Sequence, residues 1–94
     1  MYVVTVTFEV VPEDLVEFRQ LMAQQAANSL EKESGCRHFD VCYGTDQSNL
    51  CFLYEKYDDL PAFETHVASD HFREFDKLVT PFVLSKKVGT WSED

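Results

Sequence analysis

The stretch Leu50-Cys-Phe-Leu-Tyr-Glu-Lys-Tyr-Asp-Asp-Leu-Pro-Ala-Phe-Glu-Thr-His-Val-Ala-Ser-Asp-His-Phe72 passes from strand chemistry to helix chemistry within a few residues. Residues 50–57 carry the aromatic and β-forming side chains of a largely buried strand. Asp58 and Asp59 then offer acceptors for the free amides of a helix start, and Pro61 suits a first helical turn, where its missing N–H costs nothing. In the helix that follows, spacing puts His66 on the same side as Phe63 and Val67. A strand therefore feeds directly into a helix that presents a histidine to the sheet.

Outward from this junction, residues 2–11 alternate, with Tyr2, Val4, Val6, Phe8 and Val10 on one face, as a strand with one apolar side does. Pro12-Glu13-Asp14 opens a helix whose apolar stripe is Leu15, Phe18, Met22, Ala26 and Ser29 or Leu30. Gln25 and Asn28 fall beside that stripe, at solvated positions or at the border of a pocket. Ser34-Gly35 ends the helix, glycine being the residue most easily placed in a left-handed conformation there.

Residues 37–43 form a second strand, joined to the third by a polar turn at 44–49. With Tyr43 and Leu50 flanking the turn directly, His38 lies near Glu55, Phe39 near Tyr54, Val41 near Phe52 and Cys42 near Cys51. Phe39, Val41, Phe52 and Tyr54 then share one face, and Leu53 and Tyr57 the other. Ser69 and Asp70 cap a further helix bearing Phe72, Phe75 and Leu78 or Val79. Pro81 ends it, and a last strand runs from Phe82 to Trp91.

This order is the β-α-β-β-α-β of the α+β ferredoxin-like folds, an antiparallel four-stranded sheet with helices on one face. The whole of residues 1–94 is expected to form one domain, near the lower size limit for a self-sufficient core. The second, aromatic sheet face then predicts a homodimer packed sheet to sheet, a dimeric α/β-barrel. A formal net charge of -9 argues against nucleic acid and anionic membranes as partners. Three cysteines without a C-x-x-C pair argue against a disulfide framework, and no apolar run approaches the roughly 18 residues of a membrane span. Without a signal-like start, the expected location is the cytoplasm.

Among the chemical groups, no two histidines or cysteines have the close spacing that holds a metal locally, so neither metal nor cofactor is expected. His66 lies beneath the strand end bearing Glu55 and Tyr57. A histidine with a carboxylate in reach can move protons near neutrality, or it can be a buried structural group bonded to Glu55.

The segments Ser34-Gly35-Cys36-Arg37-His38-Phe39-Asp40-Val41, Phe52-Leu53-Tyr54-Glu55-Lys56-Tyr57, Ala62-Phe63-Glu64-Thr65-His66 and Ser69-Asp70-His71-Phe72 together resemble the antibiotic biosynthesis monooxygenase family. The likeness runs from Tyr2 to about Trp91, with Tyr57 where many members have Trp and Gln25 where several have His. The resemblance implies a ferredoxin-like dimer with a small-molecule pocket in each subunit between sheet and helices. It implies either a monooxygenase of quinols or phenols that needs neither metal nor flavin, or an isomerase of the kind acting on phosphorylated autoinducer-2. By position, it implies His66 and Glu55 as catalytic groups and Tyr57, Phe63, His71 and Phe72 as pocket residues, to which His38 and Asn28 are added as neighbours. A non-catalytic dimeric ligand-binding module is the remaining reading.

Overall fold

A computed structural model describes residues 1–94. Strand β1 (Tyr2–Val10) is followed by a 3-10 turn at Pro12–Asp14 and helix α1 (Leu15–Lys32). The hairpin of β2 (Cys36–Tyr43) and β3 (Leu50–Tyr57) leads into α2 (Leu60–Ala68) and α3 (Asp70–Val79). A 3-10 turn at Thr80–Phe82 then delivers β4 (Val83–Ser92). The sheet order is β2-β3-β1-β4 and every pair is antiparallel, which is the ferredoxin-like arrangement.

The caps form as their side chains dictate. Asp59 accepts from the Ala62 N–H at 2.9 Å, and Ser69 accepts from the Phe72 N–H at 3.2 Å, so each satisfies an amide that the first turn of a helix leaves free. Between helices and sheet lies a core of Val4, Val6, Phe8 and Val10 from β1 with Phe18 and Met22 from α1 and Phe75 and Val79 from α3. Phe8 meets Phe18 edge-on at 5.5 Å between ring centroids.

The β2–β3 register differs from the expected one by a single residue. The Gly44 N–H donates to the Leu50 carbonyl at 2.9 Å, so Gly44 rather than Tyr43 closes the hairpin against Leu50. Tyr43 therefore faces Cys51, Val41 faces Leu53, Phe39 faces Glu55 and His38 faces Lys56, with an irregularity between Cys36 and His38. Because side chains alternate, the slip exchanges faces: Leu53, Glu55 and Tyr57 join Phe39 beneath the helices, while Phe52 and Tyr54 turn outward. Cys42 and Cys51 lie on opposite faces, and all three cysteines are free thiols.

The α1–β2 connection also departs from expectation. No glycine has positive φ, and the helix ends through Glu33 in extended backbone. Gly35 is needed for space: a Cβ there would lie 2.6 Å from the Ala62 Cβ, so only glycine lets α2 approach this close. The Asp58 N–H donates to the Gly35 carbonyl at 2.9 Å, fastening the same joint. On α1 the buried face is Phe18, Met22, Gln25 and Ser29, so Gln25 points inward and Leu30 is exposed.

Helices cover the β2–β3–β1 part of one face only. On β4, Val88 shares the face of Val6 yet is 51% exposed, because no helix reaches it. On the other face, Trp91 lies over Gly89 and donates to the Thr5 hydroxyl at 3.0 Å. The chain ends meet: the Met1 amino group donates to the Glu93 carbonyl at 3.0 Å, and the Glu93 N–H donates to the Met1 carbonyl at 2.9 Å. No helix is long and apolar enough to cross a membrane.

Candidate active site

The last turn of α2, the first turn of α3 and the end of α1 converge on one buried polar cluster. His66 is 3% exposed and stands among aromatic rings, with centroids of Phe72 at 5.1 Å, Tyr57 at 5.3 Å, Phe63 at 6.1 Å and Phe39 at 6.2 Å. Its Nδ1 lies 3.1 and 3.0 Å from the two carboxylate oxygens of Glu33. A carboxylate accepts, so this nitrogen carries the proton and Nε2 keeps its lone pair. Nε2 points the other way, 4.0 Å from Glu55 Oε1. The Tyr57 hydroxyl donates to that same oxygen of Glu55 at 2.6 Å.

Between α1, α3 and the sheet, His66, Glu55, Gln25, Phe39, Phe72 and Phe75 line a cavity of about 30 Å³, with Lys86 of β4 at its rim. That volume admits one water-sized molecule, so a larger ligand must displace some of the lining side chains. Gln25 is 3% exposed, and neither its amide oxygen nor its amide nitrogen has a partner within the protein. A buried amide without partners is costly, and this one fronts the cavity where Glu55 and His66 meet.

Glu33 also accepts from His71 Nε2, so one carboxylate oxygen serves two imidazoles. His71 and Glu33 line a much larger cleft of about 860 Å³ on the far side of the cluster, with Asp58, Asp59 and Asp70 along it. The larger opening therefore meets the back of the cluster, and the lone pair of His66 faces the smaller one.

A family model described as antibiotic biosynthesis monooxygenase matches residues 1–78, a span containing Gln25, Glu33, Glu55, Tyr57, His66 and His71. The chain belongs to the antibiotic biosynthesis monooxygenase family. Among solved structures, a provisionally named antibiotic biosynthesis monooxygenase from Nitrosomonas europaea is similar with a TM-score of 0.94 and 21% identity, over 99% of this chain and 98% of that one. A conserved protein from Methanosarcina mazei Go1 is similar with a TM-score of 0.92 and 22% identity, over 99% and 92% of the two chains. A provisionally named family member from Deinococcus radiodurans gives a TM-score of 0.92 and 22% identity, over 100% and 93%. At these identities the likeness concerns the fold. Among curated proteins, none matches the chain significantly.

Within this antibiotic biosynthesis monooxygenase fold, burial sets the electrostatics. Burial pushes the Glu55 carboxyl up to about 7, the Tyr57 hydroxyl opposing and the Glu33 charge adding to the rise. Burial also draws His66 below its ordinary value, opposed by its bond to Glu33. Tyr57 is raised, first by burial and then by Glu55, which keeps it a neutral donor. Cys36 is pushed up to about 11, chiefly by burial, and stays a thiol.

Of the eight residues singled out from sequence, His66, Glu55, Tyr57, Phe63, Phe72 and His71 come together around this cluster. His38 does not: the register slip sets it on the opposite face, 2.6 Å from Asp40 and edge-on to Tyr54. Asn28 accepts from Gln24 at 3.0 Å and borders a shallow hollow between α1 and α3, away from the His66 lone pair. The sequence paired His66 with the carboxylate of Glu55, but it is Glu33 that holds Nδ1. One signal pointed to Glu33: it is a carboxylate at a helix C-terminus, where the helix dipole disfavours negative charge.

Proposed function

We propose that the chain is a cofactor-independent monooxygenase acting on a small phenol, quinol or related enolisable aromatic compound, with His66 as the base. The supporting observation is the polarity of His66: Nδ1 is tied to Glu33, and the free Nε2 faces a small, mostly apolar cavity beside Glu55. Deprotonation turns such a substrate into an anion electron-rich enough to react with dioxygen, so the substrate supplies the electrons itself. The protein supplies the proton acceptor, a dry site, and donors for the developing charge. Glu33 would stabilise the imidazolium that forms on His66, and the amide N–H of Gln25 would meet a substrate oxygen.

A second reading draws on Glu55. Desolvation brings an acid near neutrality within 4.0 Å of a neutral base, and such a pair suits removal of a proton beside a carbonyl and its return elsewhere. On that reading the chain is an isomerase of a small carbonyl compound. Oxygen consumption during turnover of a quinol, lost in His66→Ala, is expected for the monooxygenase. Exchange of substrate protons with deuterated water without oxygen consumption would transfer the assignment to the isomerase. Turnover unchanged in His66→Ala would remove His66 from both mechanisms.

We further propose that the working form is a homodimer joined through the outer sheet face. Phe52 and Trp91 are 41% and 59% exposed there, and Lys56 and Lys87 offset most of the charge of Glu9, Asp40 and Glu93 on that face, so two copies can meet despite the acidic chain.

A further inference from the structure

We propose that Glu33, His66 and His71 form a binding site for a first-row transition-metal dication of the Zn²⁺ class. Their ligating atoms, one carboxylate oxygen and two imidazole nitrogens, all lie within 4.8 Å of one another. They come from three separate elements: the residue ending α1, the last turn of α2 and the first turn of α3. Two nitrogens and one oxygen are the donor set that such ions share with catalytic zinc sites, and imidazole disfavours Ca²⁺ and Mg²⁺.

Both rings already aim their facing nitrogens, His66 Nδ1 and His71 Nε2, at one oxygen of Glu33. Two N–H hydrogens now hold this cluster together, and one dication can hold it in their place. Tetrahedral zinc separates neighbouring N and O ligands by about 3.3 Å, so the Glu33 oxygen must step back slightly from both rings. It has room on the cleft side, where Glu33 and His71 line an opening flanked by Asp58, Asp59 and Asp70. Asp58 is paired with Arg37 at 2.7 Å and Lys32 also lines the opening, so Asp59 and Asp70 are the carboxylates left to draw a cation toward the entrance.

Once Nδ1 of His66 binds the ion, the ring proton moves to Nε2, which faces Glu55 Oε1 across 4.0 Å, a gap that a small ring shift must close for that carboxylate, itself held by Tyr57, to accept it. Each imidazole keeps one proton throughout, and nothing is oxidised or reduced.

This site has a consequence for the reaction, and the consequence rests on the reading of His66 as the base. A ring with its proton on Nε2 has no lone pair to offer the cavity, so the bound ion switches the base off. Zn²⁺ would act as an inhibitor held 1:1 by the residues that otherwise orient His66.

Metal-stripped protein titrated calorimetrically with Zn²⁺ tests the site without a substrate. The expected result is saturable binding of one ion per chain, weakened at least about tenfold by His71→Ala and by Glu33→Gln and unaffected by His38→Ala. His38 with Asp40 is the exposed histidine–carboxylate pair, so it controls for surface binding. If Glu33→Gln fails to fold, His71→Ala decides, since His71 stands at the cleft and carries little of the core. Absence of saturable binding, or binding that survives His71→Ala, overturns the proposal. If Zn²⁺ binds as expected yet turnover continues in the loaded protein, the site stands and the assignment of His66 as base falls.

Discussion

At Glu55 a carboxyl is held in a place that favours its neutral form. Its value of about 7 lies above the ordinary 4.5, so between those pH values the folded chain binds a proton that the unfolded chain has released. Stability contributed there falls as pH rises from 4.5 to 7, by on the order of 3 kcal/mol at most. His66 has the opposite sign: its value is lowered, so stability falls as pH drops below the ordinary 6.5. The two partly cancel in the native chain. Glu55→Gln should unmask His66, giving urea-unfolding free energies that decline as pH drops below about 6.5 and exceed those of the parent above pH 7. The difference between the two curves should open between pH 4.5 and 7. A difference constant with pH would show that Glu55 titrates as an ordinary carboxylate.

Among the elements, the joint between α1, β2 and α2 positions the cluster. Gly35 lets the start of α2 approach the chain just after Glu33, so one close contact fixes the distance between the carboxylate and the His66 helix. Gly35→Ala should cost about 1–3 kcal/mol in chemical denaturation, through overlap with Ala62 and not through backbone strain, since φ is not positive. Ala62→Gly should recover part of that cost, and a double-mutant cycle with no coupling would place the cost elsewhere. The same elements show what was legible in the sequence. Strands, helix starts and caps rest on local chemistry, so Asp59, Pro61 and Ser69 could be read directly. The hairpin register could not, because the closing pair is chosen within the turn, and one residue there moved His38 away from Glu55. Glu33 stayed hidden because its partners are distant in sequence, and Gln25 because a buried amide without partners breaks the pattern that identifies a helix's inner face.

For the molecule as a whole, the uneven cover of the sheet decides how it can associate. The outer face exposes Phe52 and Trp91, and the helix side of β4 exposes Leu84 and Val88. Light scattering at micromolar concentration should give twice the chain mass, and Trp91→Lys should shift the protein toward monomer without unfolding it. A monomer in the parent would remove the dimer from the functional reading. A last consequence comes from the two reciprocal hydrogen bonds between Met1 and Glu93, which bring the beginning and end of the polypeptide side by side. Residues 1 and 93 are thereby held at one edge of the β1–β4 pair. A circular permutant with its ends joined by a short glycine–serine bridge, and reopened in the exposed segment between Asp46 and Gln47, should fold to the same far-ultraviolet dichroism as the parent. The synthesis order of the elements would then be incidental to the architecture, and the cluster around His66 would assemble whichever strand is made first.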